Sequence, residues 1–270
     1  MFCIRHFISS STKLSLKERS QVINSWLKTK NGNLRITIFL PAVSPTKKVP
    51  MAMLMHGFMA SKEMYPIKHL GVLLADTGIA AISFDFNGHG RSYGKFVDMT
   101  ILNEVEDALA VYDFVKNLDF VNKIYMIGHS QGGVVASLCA GQLKDKLDAL
   151  LLLAPAAVVY DDVHKGQIMT AKFNPKNPPD KLWVMLHPLG KQYILVAQEL
   201  DIYGQISNYK GPMCLIHGMR DKIVPYEYSV RYNETCVQSK LILIEDENHQ
   251  LNVNKTRLFE HVINFINSIS

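Results

Sequence analysis

The sequence is poor in the features that mark several protein classes. It has four cysteines in 270 residues, Cys3, Cys139, Cys214 and Cys236, which lie far apart and form no CxxC or Cys/His cluster. That spacing excludes a disulfide framework and a structural metal site, and the four read as buried, reduced thiols. No apolar run reaches the roughly 20 residues of a membrane span. The one stretch that could begin a secretory leader, Met1 to Ile8, is broken by Arg5 and His6 before the about 7 to 15 apolar residues of such a leader accumulate. A cytoplasmic protein is therefore expected. The body of the chain also lacks charge of one sign. Net charge is +5, but residues 1–30 carry six basic side chains against Glu18 alone, and the remaining 240 residues carry 23 basic and 23 acidic groups. A nucleic-acid reader needs its basic stripe on the folded body, so nucleic acid is not an expected partner. Residues 1–20 are expected to form a separate basic segment.

What the chain does have is apolar content, 48% of residues, enough for one full-sized core. Short runs of branched residues alternate with segments of helical period, the pattern of a mostly parallel sheet flanked by helices, and the fold class expected is α/β. Val22 to Thr29 and Leu34 to Leu40 flank Asn31-Gly32 and predict a hairpin. Further strands are expected at Met51 to Met55, Ala80 to Phe86, Lys123 to Ile127, Ala149 to Leu153, Met213 to His217 and Leu241 to Ile244. Leu102 to Asn117 predicts a helix with Val105, Ala108, Leu109, Tyr112 and Val115 on its buried stripe. Glu104, Glu106 and Asp113 fall off that stripe, so the helix reads as scaffold. Residues 156–211 break the rhythm with four prolines and six large aromatics. They predict a cap inserted between two core portions, 21–155 and 212–270.

The strongest chemical signal is Gly128-His129-Ser130-Gln131-Gly132, with an apolar strand before it and a helix-like run after it. This is GxSxG in its required strand-turn-helix setting, where the flanking glycines let neighbouring backbone approach a serine held on a strained turn. A serine hydroxyl is a weak nucleophile at neutral pH and needs a base, itself oriented by a carboxylate. Among residues beyond Ser130, Asp221 and His249 each follow a strand end and lie in the chain order serine, acid, histidine. Glu245, Asp246 and Glu247 compete for the acid role but sit too close in sequence to His249 to reach the far side of its ring. His261 belongs to a helical pattern. The backbone amides of Phe58 and Gln131 are the expected oxyanion donors, with Gly57 allowing close approach. His56 finds no partner at metal-ligand spacing, and neither metal nor cofactor is expected. The loop Asp85 to Ser92 lacks the phosphate-binding glycine and lysine spacings and reads as a tight loop bordering the site.

These segments together, HGF at 56–58, FDFNGHG at 84–90, LNEVEDA at 102–108, GHSQGGVVAS at 128–137, LLAPAA at 152–157 and CLIHG at 214–218, resemble the α/β-hydrolase superfamily. The closer resemblance is to bacterial cinnamoyl (feruloyl) esterases, and it runs from about residue 25 to the C-terminus. It implies an α/β-hydrolase fold with a small cap and hydrolysis of hydroxycinnamate esters through an acyl-enzyme. Ser130, Asp221 and His249 match the family's triad, and the Phe58 and Gln131 amides match its oxyanion hole. By position Asp162 and Tyr193 match the cap residues that meet the ring hydroxyls of the substrate. Met169 stands where related enzymes can carry glutamine, a departure that tells against a catechol or ferulate ring and makes a more apolar acyl group credible. The expected partner is a small-molecule ester, and a homodimer is compatible with the sequence. Alternatives are a short-chain acyl or monoacylglycerol hydrolase, and a non-catalytic ligand-binding member of the fold.

Overall fold

Asn31-Gly32 turns the chain back on itself between β1 (Gln21–Lys28) and β2 (Asn33–Leu40), which pair antiparallel. Thr29 N–H donates to the Gly32 carbonyl at 2.9 Å to close the turn. Glycine is required at 32 because the ring of Tyr93 lies against it, and a Cβ there would fall 2.3 Å from Tyr93 Cγ. The structure is a computed structural model in which residues 20–42 and 48–269 are described. Cys3 and the expected basic segment, apart from Ser20, lie outside these residues.

The chain continues through β3 (Val49–Met55), α1 (Ile67–Asp76), β4 (Ala80–Phe84), α2 (Ile101–Val115), β5 (Val121–His129), α3 (Gln131–Leu143) and β6 (Ala149–Leu153). There follow α4 (Val158–Lys165), two small hairpins, β7 (Gln167–Ile168) with β8 (Ala171–Lys172) and β9 (Lys181–Val184) with β10 (His187–Gly190), then α5 (Lys191–Gln198) and α6 (Ile202–Ile206). The last elements are β11 (Met213–Gly218), α7 (Glu227–Thr235), β12 (Lys240–Ile244) and α8 (Lys255–Ser268). Eight strands form one sheet in the order β1-β2-β4-β3-β5-β6-β11-β12. The pairs from β4 through β12 are parallel, and only β2 runs against them, pairing antiparallel with both β1 and β4.

Parallel strands buried on both faces explain the unbroken apolar runs. In β3, Met51, Met53 and Met55 face α2 and α3 together with Ile82, Met126 and Leu152. Ala52 and Leu54 face α1 and α8 with Ile127, Leu151 and Ile216. Each such buried side chain contributes roughly 1.5–3 kcal/mol relative to exposure, so the rigid sheet holds the carboxyl-end loops where function gathers. Cys139, Cys214 and Cys236 are buried free thiols. Residues 156–211 contribute no strand to the eight-stranded sheet, but their last part is not peripheral. Ile202, Ile206 and Tyr209 are buried, and a Cβ at Gly141 of α3 would meet the Gln205 carbonyl at 2.2 Å. Among the described residues no helix is long and apolar enough to cross a membrane.

Candidate active site

Strand β5 ends at His129 and α3 starts at Gln131, so Ser130 occupies the turn between them with φ 57° and ψ −123°. A positive φ is costly for a serine and is held by its surroundings. Ser130 N–H donates to the Leu153 carbonyl at 2.9 Å, and its own carbonyl accepts from Gly133 N–H at 2.9 Å. The glycines are steric necessities. A Cβ at Gly128 would lie 2.1 Å from the Gly132 carbonyl oxygen, and one at Gly132 would lie 2.4 Å from that of His56.

Three distant segments meet at this turn. His249 Nε2 lies 3.0 Å from Ser130 Oγ, and His249 Nδ1 lies 2.6 Å from Asp221 Oδ2. Asp221 can only accept, so Nδ1 carries the imidazole proton and Nε2 is left as the acceptor facing the serine. Asp221 Oδ1 accepts from the amides of Ile223 and Val224 at 2.8 and 2.9 Å. Burial would push its carboxyl up, but hydrogen bonds from His217 and His249 override it and hold Asp221 below the ordinary carboxylate range. The acidic neighbours of His249 are occupied elsewhere. Glu247 accepts from the amides of Val253 and Asn254, and Asp246 pairs with Arg257.

Opposite the serine, Gly57 comes so close that a Cβ there would lie 2.8 Å from Ser130 Cβ. The amides of Phe58 and Gln131 find no acceptor among the described residues. Gln131 opens α3, where the first amides have no intrahelical partner, and two free N–H groups beside the serine suit an oxyanion. His56 braces this loop. Its Nδ1–H donates to the Gly57 carbonyl at 2.9 Å, and its Nε2 accepts from Phe86 N–H at 3.1 Å. Burial, with His89 and His129 nearby, lowers His56 to about 3, so it stays neutral. Both of its ring nitrogens are engaged, and among the described residues no three His, Cys, Asp or Glu side chains are placed to hold a metal ion together. The loop from Asp85 to Ser92, expected to border the site, stands one layer behind it. It touches the site's supports, through Phe86 N–H to His56 and through Asp85 to Lys62 N–H, and none of its residues lines the cavity.

That cavity has a volume of about 930 Å³, with Ser130 and His249 in its wall. Met59, Met64, Val159, Ile168 and Met185 make much of it apolar, and Asp162, Met169 and Tyr193 all face it. Burial raises the Asp162 carboxyl. Tyr193 is buried, and its hydroxyl donates to Gln131 Oε1 at 2.6 Å. It can therefore accept a hydrogen bond from a ligand but has no proton left to donate. Gln131 Nε2 in turn donates to Glu104 Oε2 at 2.7 Å.

That last contact corrects the expectation for α2. Glu104 does not point to solvent but is 1% exposed, and burial, only partly offset by Gln131, pushes its carboxyl well above the ordinary range. The buried face of α2 also includes Asp107 and Val111, and is wider than one apolar stripe. The spacing 104, 108, 111, 115 carried that signal, but a glutamate in it reads as polar surface. Sequence reasoning also missed His129, whose Nε2–H donates to the His249 carbonyl at 2.8 Å, and His217, a second imidazole 3.0 Å from Asp221 Oδ2.

Comparison with known proteins identifies the family. Residues 46–192, more than half of the chain, match the family described as "Serine aminopeptidase, S33". Est1E from Butyrivibrio proteoclasticus, solved with ferulic acid bound, superimposes with a TM-score of 0.87 at 33% identity, covering 90% of this chain and 98% of Est1E. The putative esterase/lipase 2 of Mycoplasma pneumoniae is 30% identical over 141 residues, 52% of this chain and 51% of that protein. The monoacylglycerol lipase of Mycolicibacterium smegmatis is 24% identical over 222 residues, 72% of this chain and 78% of that enzyme. The chain spans about half the length of several curated relatives it matches, including 49% of the human Protein ABHD12B. The chain belongs to the serine aminopeptidase, S33 family and, with it, to the serine hydrolases and esterases of the α/β-hydrolase superfamily.

Proposed function

We propose that the protein is a serine carboxylesterase that cleaves hydroxycinnamate esters through an acyl-enzyme. The observation that carries this reading is the continuous hydrogen-bonded path from Ser130 Oγ through His249 to Asp221, over 3.0 and 2.6 Å, at the wall of a large cavity. Ser130 Oγ attacks the ester carbonyl while its proton passes to His249 Nε2. The amides of Phe58 and Gln131 stabilise the oxyanion, and the imidazolium then protonates the departing alcohol. Water, deprotonated by the same imidazole, releases the acid and restores the serine. Asp221 keeps the ring in the tautomer that the first transfer needs.

The acyl group belongs beneath residues 156–211. A cavity of about 930 Å³ is at the upper end of the roughly 300–1,000 Å³ of small-molecule sites, and a short acyl chain would leave much of it empty. Asp162 can accept from a ring hydroxyl, and Tyr193 can accept through its oxygen. The likeness to Est1E, solved with ferulic acid bound, supports an aromatic acyl group. Met169 favours a second reading, an aliphatic acyl or monoacylglycerol hydrolase, because it puts an apolar thioether in the cavity wall.

A panel of methyl ferulate, methyl cinnamate, butyrate and long-chain monoacylglycerol esters tests both. The expected result is a higher kcat/KM for the aromatic series and loss of turnover in Ser130→Ala. A tenfold preference for an aliphatic ester would favour the second reading, and turnover retained in Ser130→Ala would refute the nucleophile. Failure of a fluorophosphonate to label an intact chain would point to a non-catalytic binding protein.

A further inference from the structure

His217, next to last in β11, is a fully buried imidazole, and nothing in the acyl-transfer cycle uses it. Its Nε2 lies 3.0 Å from Asp221 Oδ2 and 3.0 Å from the Val224 carbonyl. A carbonyl can only accept, so Nε2 must carry a proton whatever the state of Asp221. Nδ1 of the neutral ring is then an acceptor, and it lies 2.7 Å from the hydroxyl of Ser229, which is also fully buried, on α7. Asp221 Oδ2 thus receives two imidazole N–H donors, from His249 and from His217, while Oδ1 receives two amides.

We infer that His217, held in its Nε2–H tautomer by Val224 and Ser229, is a positioning residue that fixes the Asp221 carboxylate and limits how strongly it draws on the His249 proton. The inference rests on the proposed esterase reading. Each donor on Oδ2 spreads the carboxylate charge, so a carboxylate with one imidazole donor fewer stabilises the His249 imidazolium more. Removing the His217 donor therefore does two things. It frees Asp221 to shift, which slows the chemistry, and it strengthens the attraction between the Asp221 carboxylate and the imidazolium formed at His249 during turnover. The other titratable groups around this pair remain in place. His129 of β5 has its ring 5.0 Å from that of His249, Glu247 is held by backbone amides, Asp246 is paired with Arg257, and Lys222 is exposed at the cavity wall.

The test compares His217→Leu, His217→Gln and Ser229→Ala with the wild type in pH profiles of kcat and kcat/KM on whichever ester the panel above finds best. His217→Leu is expected to lower kcat about tenfold or more at near-constant KM and to move the acidic limb of kcat/KM to higher pH. His217→Gln keeps an N–H donor at the same reach and should restore much of the rate and the position of the limb. Ser229→Ala should shift the limb in the same direction by less, and it carries the test if His217→Leu does not fold. An active wild type whose limb stays in place in Ser229→Ala and His217→Leu would overturn the inference alone, as would equal losses in the leucine and glutamine variants. A wild type that neither turns over esters nor takes a fluorophosphonate would overturn the esterase reading and this inference with it.

Discussion

Gly57 and Met169 carry different kinds of information at the site. Gly57 is fixed by contact, since any Cβ would press on Ser130. Gly57→Ala should lower kcat by roughly 100-fold through displacement of the serine or of the Phe58 amide, with an unchanged circular dichroism spectrum. Met169 is a matter of chemistry. It faces the cavity from the β7–β8 turn with φ 52°. Met169→Gln should lower KM for a phenolic ester about three- to tenfold relative to its unsubstituted cinnamate analogue, the worth of one neutral hydrogen bond. Equal effects on both esters would show that residue 169 does not meet the ring substituent. The serine, the aspartate and the histidine were legible because local motifs and chain order point to them. His217 and Ser229 were not, because a histidine near the end of an apolar strand and a serine within a helix acquire meaning only when β11 and α7 pack together.

At the level of elements, α2, α3 and α5 are tied by the buried path from Glu104 to Gln131 to Tyr193. The residue next to Ser130 thus fastens the segment above the cavity to the core beneath it. The path makes stability depend on pH in a direction that can be worked out. Burial raises Glu104 well above its ordinary range, so the folded chain holds that proton where the unfolded chain has lost it. Asp107 on the same helix, raised to about 6 by burial, acts in the same sense. Stability from these groups is full below their unfolded pKa and falls as pH rises toward the folded value. Glu104→Gln keeps the amide partner and removes the titration, so its Tm relative to wild type should increase from pH 5 to pH 8. A constant difference would mean that Glu104 titrates normally. Helix α2 illustrates a limit of periodicity, since one apolar stripe was visible but a second buried row containing two carboxylates was not.

Across the whole molecule, the α/β class, the hairpin and the central strands could be read from apolar runs, Asn-Gly and strand-ending polar residues, because a buried parallel sheet imposes them. Less legible was depth. The Asp85 to Ser92 loop lies behind the site, and residues 202–209 pack against α3 although they belong to the irregular stretch 156–211. Both depend on which surfaces meet, and local sequence does not encode that. Ester cleavage at this site requires Ser130 to be a nucleophile made reactive by His249. The most direct measurement is mass spectrometry of the intact protein and its peptides after exposure to a fluorophosphonate. One covalent adduct on the peptide containing Ser130 is predicted, absent in Ser130→Ala and strongly slowed in His249→Ala. No adduct, or one on another residue at undiminished rate in Ser130→Ala, would contradict the account.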